Sequence, residues 1–183
     1  MLKHFNTISI IFAVLLAPTV LLAASTFAPA KAVVGEDHTV TVPLVVGNAD
    51  GLMAMDIPLR YSEGVTLKEV NFKDTRVDYF DLKLSHIDND AHMVIIGLIN
   101  QATPERKPFL SAGEGTVANL VFSVDDPNLT EFTVSATTME NPHHALMYVY
   151  NDGKGNQHVE EPDFSTVTVA LSGVNGNPLP TEY

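Results

Sequence analysis

The chain has 183 residues, with 22 Asp and Glu against 10 Lys and Arg, and a formal charge of −12 at pH 7. That acidity excludes a nucleic-acid wrapper or a module docked on anionic lipid, since both need a basic face. Cys and Trp are absent, which excludes disulfides, thiolate metal sites and a Cys nucleophile, and the length fits one domain of roughly 100–200 residues.

Residues 1–24 read as an address. Lys3 gives a positive start, Ile8 to Ala24 is almost wholly apolar, and the small residues Ala23, Ala24 and Ser25 follow. This is the layout of a secretory signal peptide. Pro18 interrupts the run, which falls short of the about 20 apolar residues of a spanning helix. We expect a secreted product, periplasmic or extracellular, with a domain over residues 25–173. A flexible tail over 174–183 follows, with Pro178 and Pro180 and little to bury.

Within the domain, apolar and polar residues alternate at the period of a strand. Thr26 to Val34 predicts a first strand. His38 to Val46 sets Val40, Val42, Leu44 and Val46 against Thr39, Thr41 and Pro43. Leu52 to Tyr61 sets Met53, Met55, Ile57, Leu59 and Tyr61 against Ala54, Asp56, Pro58 and Arg60. Val65 to Phe72 is another strand, and Asp74 to Asp78 fits a helical turn. Tyr79 to Ser85 sets Phe80, Leu82 and Leu84 against Asp81 and Lys83. Ala91 to Ile99 and Gly115 to Val124 are nearly continuous apolar runs, which predicts cover on both faces. Phe132 to Ala136, Leu146 to Tyr150 and Ser165 to Leu171 complete the series. Pro43 and Pro58 lack a ladder donor. They belong at an edge, at a bulge or where a neighbouring strand stops. Short strands at this spacing, separated by Gly, Asn and Asp turns, predict an all-β sandwich or barrel.

Catalytic patterns are missing. There is no Gly-x-Ser-x-Gly elbow, and Gly113-Glu114-Gly115 is acidic and enters a strand rather than cradling phosphate. The histidines His38, His86, His92, His143, His144 and His158 lack a chelating spacing. His143 and His144 are adjacent and point opposite ways on a strand. Asp88-Asn89-Asp90 and Asn151 to Asn156 hold oxygen ligands of a kind calcium takes, but Lys154 opposes a cation and tight turns account for both segments. No catalytic residue, metal or cofactor is assigned, and no enzyme is expected. Tyr148 and Tyr150 share one strand face and form the candidate stacking platform for a carbohydrate. The absence of Trp weighs against that use.

Four segments in order resemble one family. Gly35-Glu36-Asp37-His38-Thr39-Val40-Thr41-Val42-Pro43-Leu44 is similar to the opening strand of cohesin domains. Gly51 to Tyr61 is similar to their next strand, with Asp56 and Tyr61 in family positions. Val65-Thr66-Leu67-Lys68-Glu69-Val70 and Gly113-Glu114-Gly115-Thr116-Val117-Ala118-Asn119-Leu120-Val121-Phe122 fit two later motifs. The resemblance spans about Thr26 to Gly173. It implies a nine-stranded antiparallel β-sandwich with jelly-roll topology, a fold shared with carbohydrate-binding modules.

It also implies a non-catalytic extracellular module that offers one sheet face to a dockerin, a small calcium-loaded helical protein. At the strand positions where the family supplies an Asn and an Asp, this chain has Ala54 and Asp56. The expected partner-binding residues are therefore Ala54, Asp56 and Arg60. Asp81 and Lys83 join them from the Tyr79 strand, and Ile99, Asn100 and Gln101 where an apolar strand ends in polar groups. The alternative is a polysaccharide-binding module using Tyr148 and Tyr150. A third class is a structural surface component that assembles through free strand edges.

Overall fold

The computed structural model describes residues 32–33 and 38–172, except 106, 127, 141, 152–153 and 165. The expected signal peptide over residues 1–24, most of the expected first strand and the expected tail over 174–183 lie outside the described residues.

Thirteen strand segments follow one another, and no helix occurs among the described residues. They are β1 (Ala32–Val33), β2 (Thr39–Asn48), β3 (Gly51–Tyr61), β4 (Val65–Asn71), β5 (Leu82–Asp88), β6 (Met93–Ile99) and β7 (Gly113–Val124). Then come β8 (Glu131–Ala136), β9 (Met139–Glu140), β10 (His143–His144), β11 (Met147–Asn151), β12 (Gln157–Glu160) and β13 (Val167–Ser172). The stretch Asp74 to Asp78, expected as a helical turn, lies in successive hydrogen-bonded turns. The Asp78 N–H donates to the Thr75 carbonyl, and the Phe80 N–H to that of Val77.

One layer is the three-stranded sheet β2-β7-β4. The other is organised around β3. On one side β6 runs along Ala54 to Arg60, and β5 pairs β6. The opposite edge is divided: β11 covers Gly51 to Asp56, and β8 covers Leu59 to Tyr61. Pro58 falls in the gap. Its carbonyl accepts the Thr137 N–H, so its nitrogen faces the same edge, where β11 has ended and β8 only begins. The missing donor is harmless there. Pro43 sits on β2, an edge strand. Beyond β8 lie β13 and β1, and beyond β11 lies β12. All pairings are antiparallel except β1 with β13.

Side chains from both layers form one core. Val40, Val42, Leu44, Leu120 and Phe122 from the small sheet join Ile57, Leu59, Ile96, Leu98 and Phe132 from the large one. Phe122 meets Phe132 at 5.0 Å and Tyr61 at 5.3 Å between ring centroids, both edge-to-face, a favoured aromatic geometry. This is a β-sandwich, as the alternation predicts.

Three expectations need correction. On β3 the core residue is Leu52, not Met53. The register to β11 skips Met53, and such a bulge reverses the facing of everything before it. On β5 the strand begins at Leu82, so Tyr79 and Phe80 belong to the preceding turn. Its phase is also reversed, with Leu82 and Leu84 turned outward. β6 is not covered on both faces: Val94, Ile96 and Leu98 are buried, whereas Ile99 is exposed.

A side-chain clamp joins the layers. Asn89, in the β5–β6 turn, accepts the Tyr61 hydroxyl at 2.6 Å and the Leu67 N–H at 3.0 Å, and donates to the Leu67 carbonyl at 3.2 Å. It thus replaces a strand partner for β4 next to a bulge at Lys68. Burial, aided by the Asp88 charge, pushes the Tyr61 phenol up to about 12, so it stays a neutral donor.

Candidate functional site

The register of five strands defines the outer face of the large sheet. Leu82 lies opposite Ile99, Ile99 opposite Ala54, Ala54 opposite Val149, and Val149 opposite Val159. The next row is Leu84, Gly97, Asp56 and Met147. Beyond it come His86, Ile95 and Pro58, then Asp88, Met93 and Arg60. Two rows are therefore aliphatic across the sheet, apart from Asp56. They are also open: Val159 is 61% exposed, Leu84 55% and Ile99 38%. Contiguous exposed apolar patches on a protein surface are candidate interaction sites.

Asp56 is the charged group within the patch. His144, on β10, donates from Nδ1 to its Oδ2 at 2.9 Å. Pairing of His144 with Met139 and of His143 with Glu140 makes β9–β10 a small hairpin. The His144 bond seats that hairpin beside Pro58, between the apolar rows and Arg60. The Arg60 guanidinium rests against the Met93 sulfur at 3.5 Å.

Of the residues singled out in the sequence, Ala54, Asp56 and Ile99 come together in the patch, and Arg60 stands at its far end. The others point elsewhere. Lys83 is on the inner side of β5, where its ammonium donates to the Asp78 and Phe80 carbonyls. The Asp81 side chain is only 3% exposed and pairs with Lys107 at 2.7 Å. It also accepts the Ala102 and Thr103 N–H groups and the Thr103 hydroxyl. The Lys107 bond, reinforced by Thr103, holds its carboxyl below the usual range. Asn100 is fully buried and donates to the Pro108 carbonyl, and Gln101 donates to that of Lys107. These four residues shape the turns around the patch instead of lining it.

Tyr148 and Tyr150 are buried on the inner face. Desolvation pushes the Tyr148 phenol upward, with Tyr150 and Glu160 adding to it. The exposed His158 ring stacks on Tyr150 at 5.0 Å. The expected sugar platform is therefore not on the surface: Tyr148 and Tyr150 alternate with the outward Met147 and Val149, and they lie opposite the core residues Met55 and Leu52.

Sequence reasoning missed Leu82, Leu84, Gly97, Met147, Val149 and Val159. The available signal for Met147 and Val149 was that their strand carries apolar residues on both faces. Another cavity, of about 530 Å3, opens between the end of β8 and residues 161–164. Its lining has Glu161 and Asp163 but no His, Lys or Arg. Among the described residues no three His, Asp or Glu side chains are grouped to hold a metal ion.

No protein-family model and no curated protein matches the sequence. Solved structures do resemble the fold. The seventh ScaB type I cohesin of Pseudobacteroides cellulosolvens superposes with a TM-score of 0.63 at 15% identity, over 87% of this chain and 97% of that one. The cohesin of a type I cohesin–dockerin complex from Clostridium thermocellum gives 0.61 at 12%, over 81% and 99%. A non-cellulosomal cohesin from the archaeon Archaeoglobus fulgidus gives 0.51 at 14%, over 81% and 91%. The chain has a cohesin-like jelly-roll fold.

Proposed function

We propose that this chain is a secreted, non-catalytic docking module that takes a protein partner on the outer face of the large sheet. The observation that carries this reading is the aliphatic row Leu82–Ile99–Ala54–Val149–Val159, open to solvent across five strands. A solvated patch of this kind gains about 25 cal/mol for each Å2 of apolar surface removed from water. Asp56 in the next row gives the partner a polar fix, since a carboxylate accepts strongly from Arg or hydroxyl donors. The partner is of dockerin type, a small calcium-loaded helical module. The structural neighbours support this, one being a cohesin solved with its dockerin. The layout of residues 1–24 supports secretion.

Isothermal titration of the protein with calcium-loaded dockerin-type modules from the same organism tests the reading. Saturable binding, weakened by Asp56→Arg and Ile99→Lys, is expected. Binding indifferent to both changes contradicts the proposed face. No observation favours the polysaccharide alternative, because the tyrosines it requires are buried. No retardation is expected in polysaccharide affinity gels.

A further inference from the structure

At the centre of the outer face, β6 carries Gly97 between Ile95 and Ile99. The missing side chain leaves a dent of about 280 Å3 walled by Leu82, Leu84, Ile99, Met147 and Val149, with Asp56 on one side. A Cβ built on Gly97 meets nothing within 4 Å. Neither a close approach nor a left-handed backbone accounts for glycine here. Glycine inside a strand weakens it, having no side chain to pack, so this position keeps an open floor among large aliphatic walls.

The dent is lined by apolar groups except Asp56, its single polar wall. It therefore suits one apolar side chain rather than a sugar or a cofactor. Hot spots at protein interfaces take this form, a large side chain desolvated in a central pocket. The charge pattern fixes the rest. Asp56 Oδ2 is engaged by His144, while Oδ1 has no partner among the described residues. The whole chain is acidic, so a cation or hydroxyl donor is the complementary group at Asp56.

We infer that Gly97 is the floor of a socket for a single Leu, Ile, Met or Phe side chain of a protein partner, flanked by a Lys, Arg or hydroxyl donor that bonds Asp56. The inference rests on the docking reading above and sharpens it to one subsite.

A display library of helical peptides, selected on the purified protein, supplies the probe. Selected peptides should share one large apolar residue beside a Lys, Arg, Ser or Thr. Their affinity should fall at least ten-fold on Gly97→Leu and less on Gly97→Ala, with the Tm of both variants at or above that of the parent. Gly97→Ala keeps the test alive if the larger change perturbs folding. Peptides that bind Gly97→Leu as tightly as the parent overturn the socket. If Leu84→Glu still abolishes their binding, the docking face stands without the socket. If neither substitution matters, or no peptide is selected, both readings fall.

Discussion

Asp56 and His144 lie 88 residues apart in the chain and meet at 2.9 Å on the outer face of the large sheet. The bond ties the β9–β10 hairpin to β3 and turns one carboxylate oxygen toward the aliphatic rows. Both side chains are partly exposed, and such pairs contribute about 0–1 kcal/mol. His144→Ala should therefore lower the urea-unfolding free energy by less than about 1 kcal/mol. It should accelerate amide exchange in Met139 to His144 without affecting β6. Global destabilisation well above that range would show that the hairpin is part of the core.

Asn89 is a stronger point. Its removal strands the Tyr61 hydroxyl and the Leu67 N–H and carbonyl together. An unsatisfied buried group costs about 1–3 kcal/mol, whereas a deleted hydrogen bond costs about 0.5–1.5 kcal/mol. Asn89→Ala should thus destabilise by about 2–4 kcal/mol in urea melts, and Tyr61→Phe by about 1 kcal/mol. The reverse order would contradict the clamp.

Asp81 predicts a pH dependence. Its carboxyl is held below the ordinary range by Lys107 and Thr103. A depressed folded-state value means that its stabilisation is present above the unfolded value, about 3.9. It is lost as pH falls through the folded one. Between pH 5 and 2, the parent should lose Tm more steeply than Asp81→Asn. Parallel acid profiles would show that the Asp81 bonds do not form in solution.

These cases mark what was legible in the sequence. The alternation of Val40, Val42, Leu44 and Val46 gave β2 its true core face, because an unbroken strand keeps its period. The missing N–H of Pro58 limited it to an edge, a bulge or the end of a neighbouring strand, and the structure has the third. Met53 could not be told from Leu52, since a bulge is a property of two paired strands. Leu82 and Leu84 read as core residues because apolar alternation marks a buried face in most proteins; here it marks the open outer face of the large sheet. Asn89, Asp81 and Asn100 were visible as polar residues near turns, but their partners lie 8 to 28 residues away, and nothing local announces the pairing.

Arg76 illustrates the same point. Its guanidinium donates to the carbonyls of Val46, Ser111 and Gly113. A Cβ on Gly115 would stand 2.7 Å from its Cδ. Gly115→Ala should cost about 1–3 kcal/mol by overpacking. The cost should shrink when Arg76→Ala is already present, a coupling that a double-mutant cycle reads directly. Equal costs in the two backgrounds would rule out the contact.

The most direct test of the docking account is one affinity ratio. Calorimetric titration of a calcium-loaded dockerin-type module should be run against the parent and Leu84→Glu. Leu84 is exposed on an edge strand, so the substitution should leave Tm within a degree or two while weakening binding by at least about thirty-fold, the scale of a hot-spot residue. Unchanged affinity in a folded Leu84→Glu protein would contradict the assignment of this face.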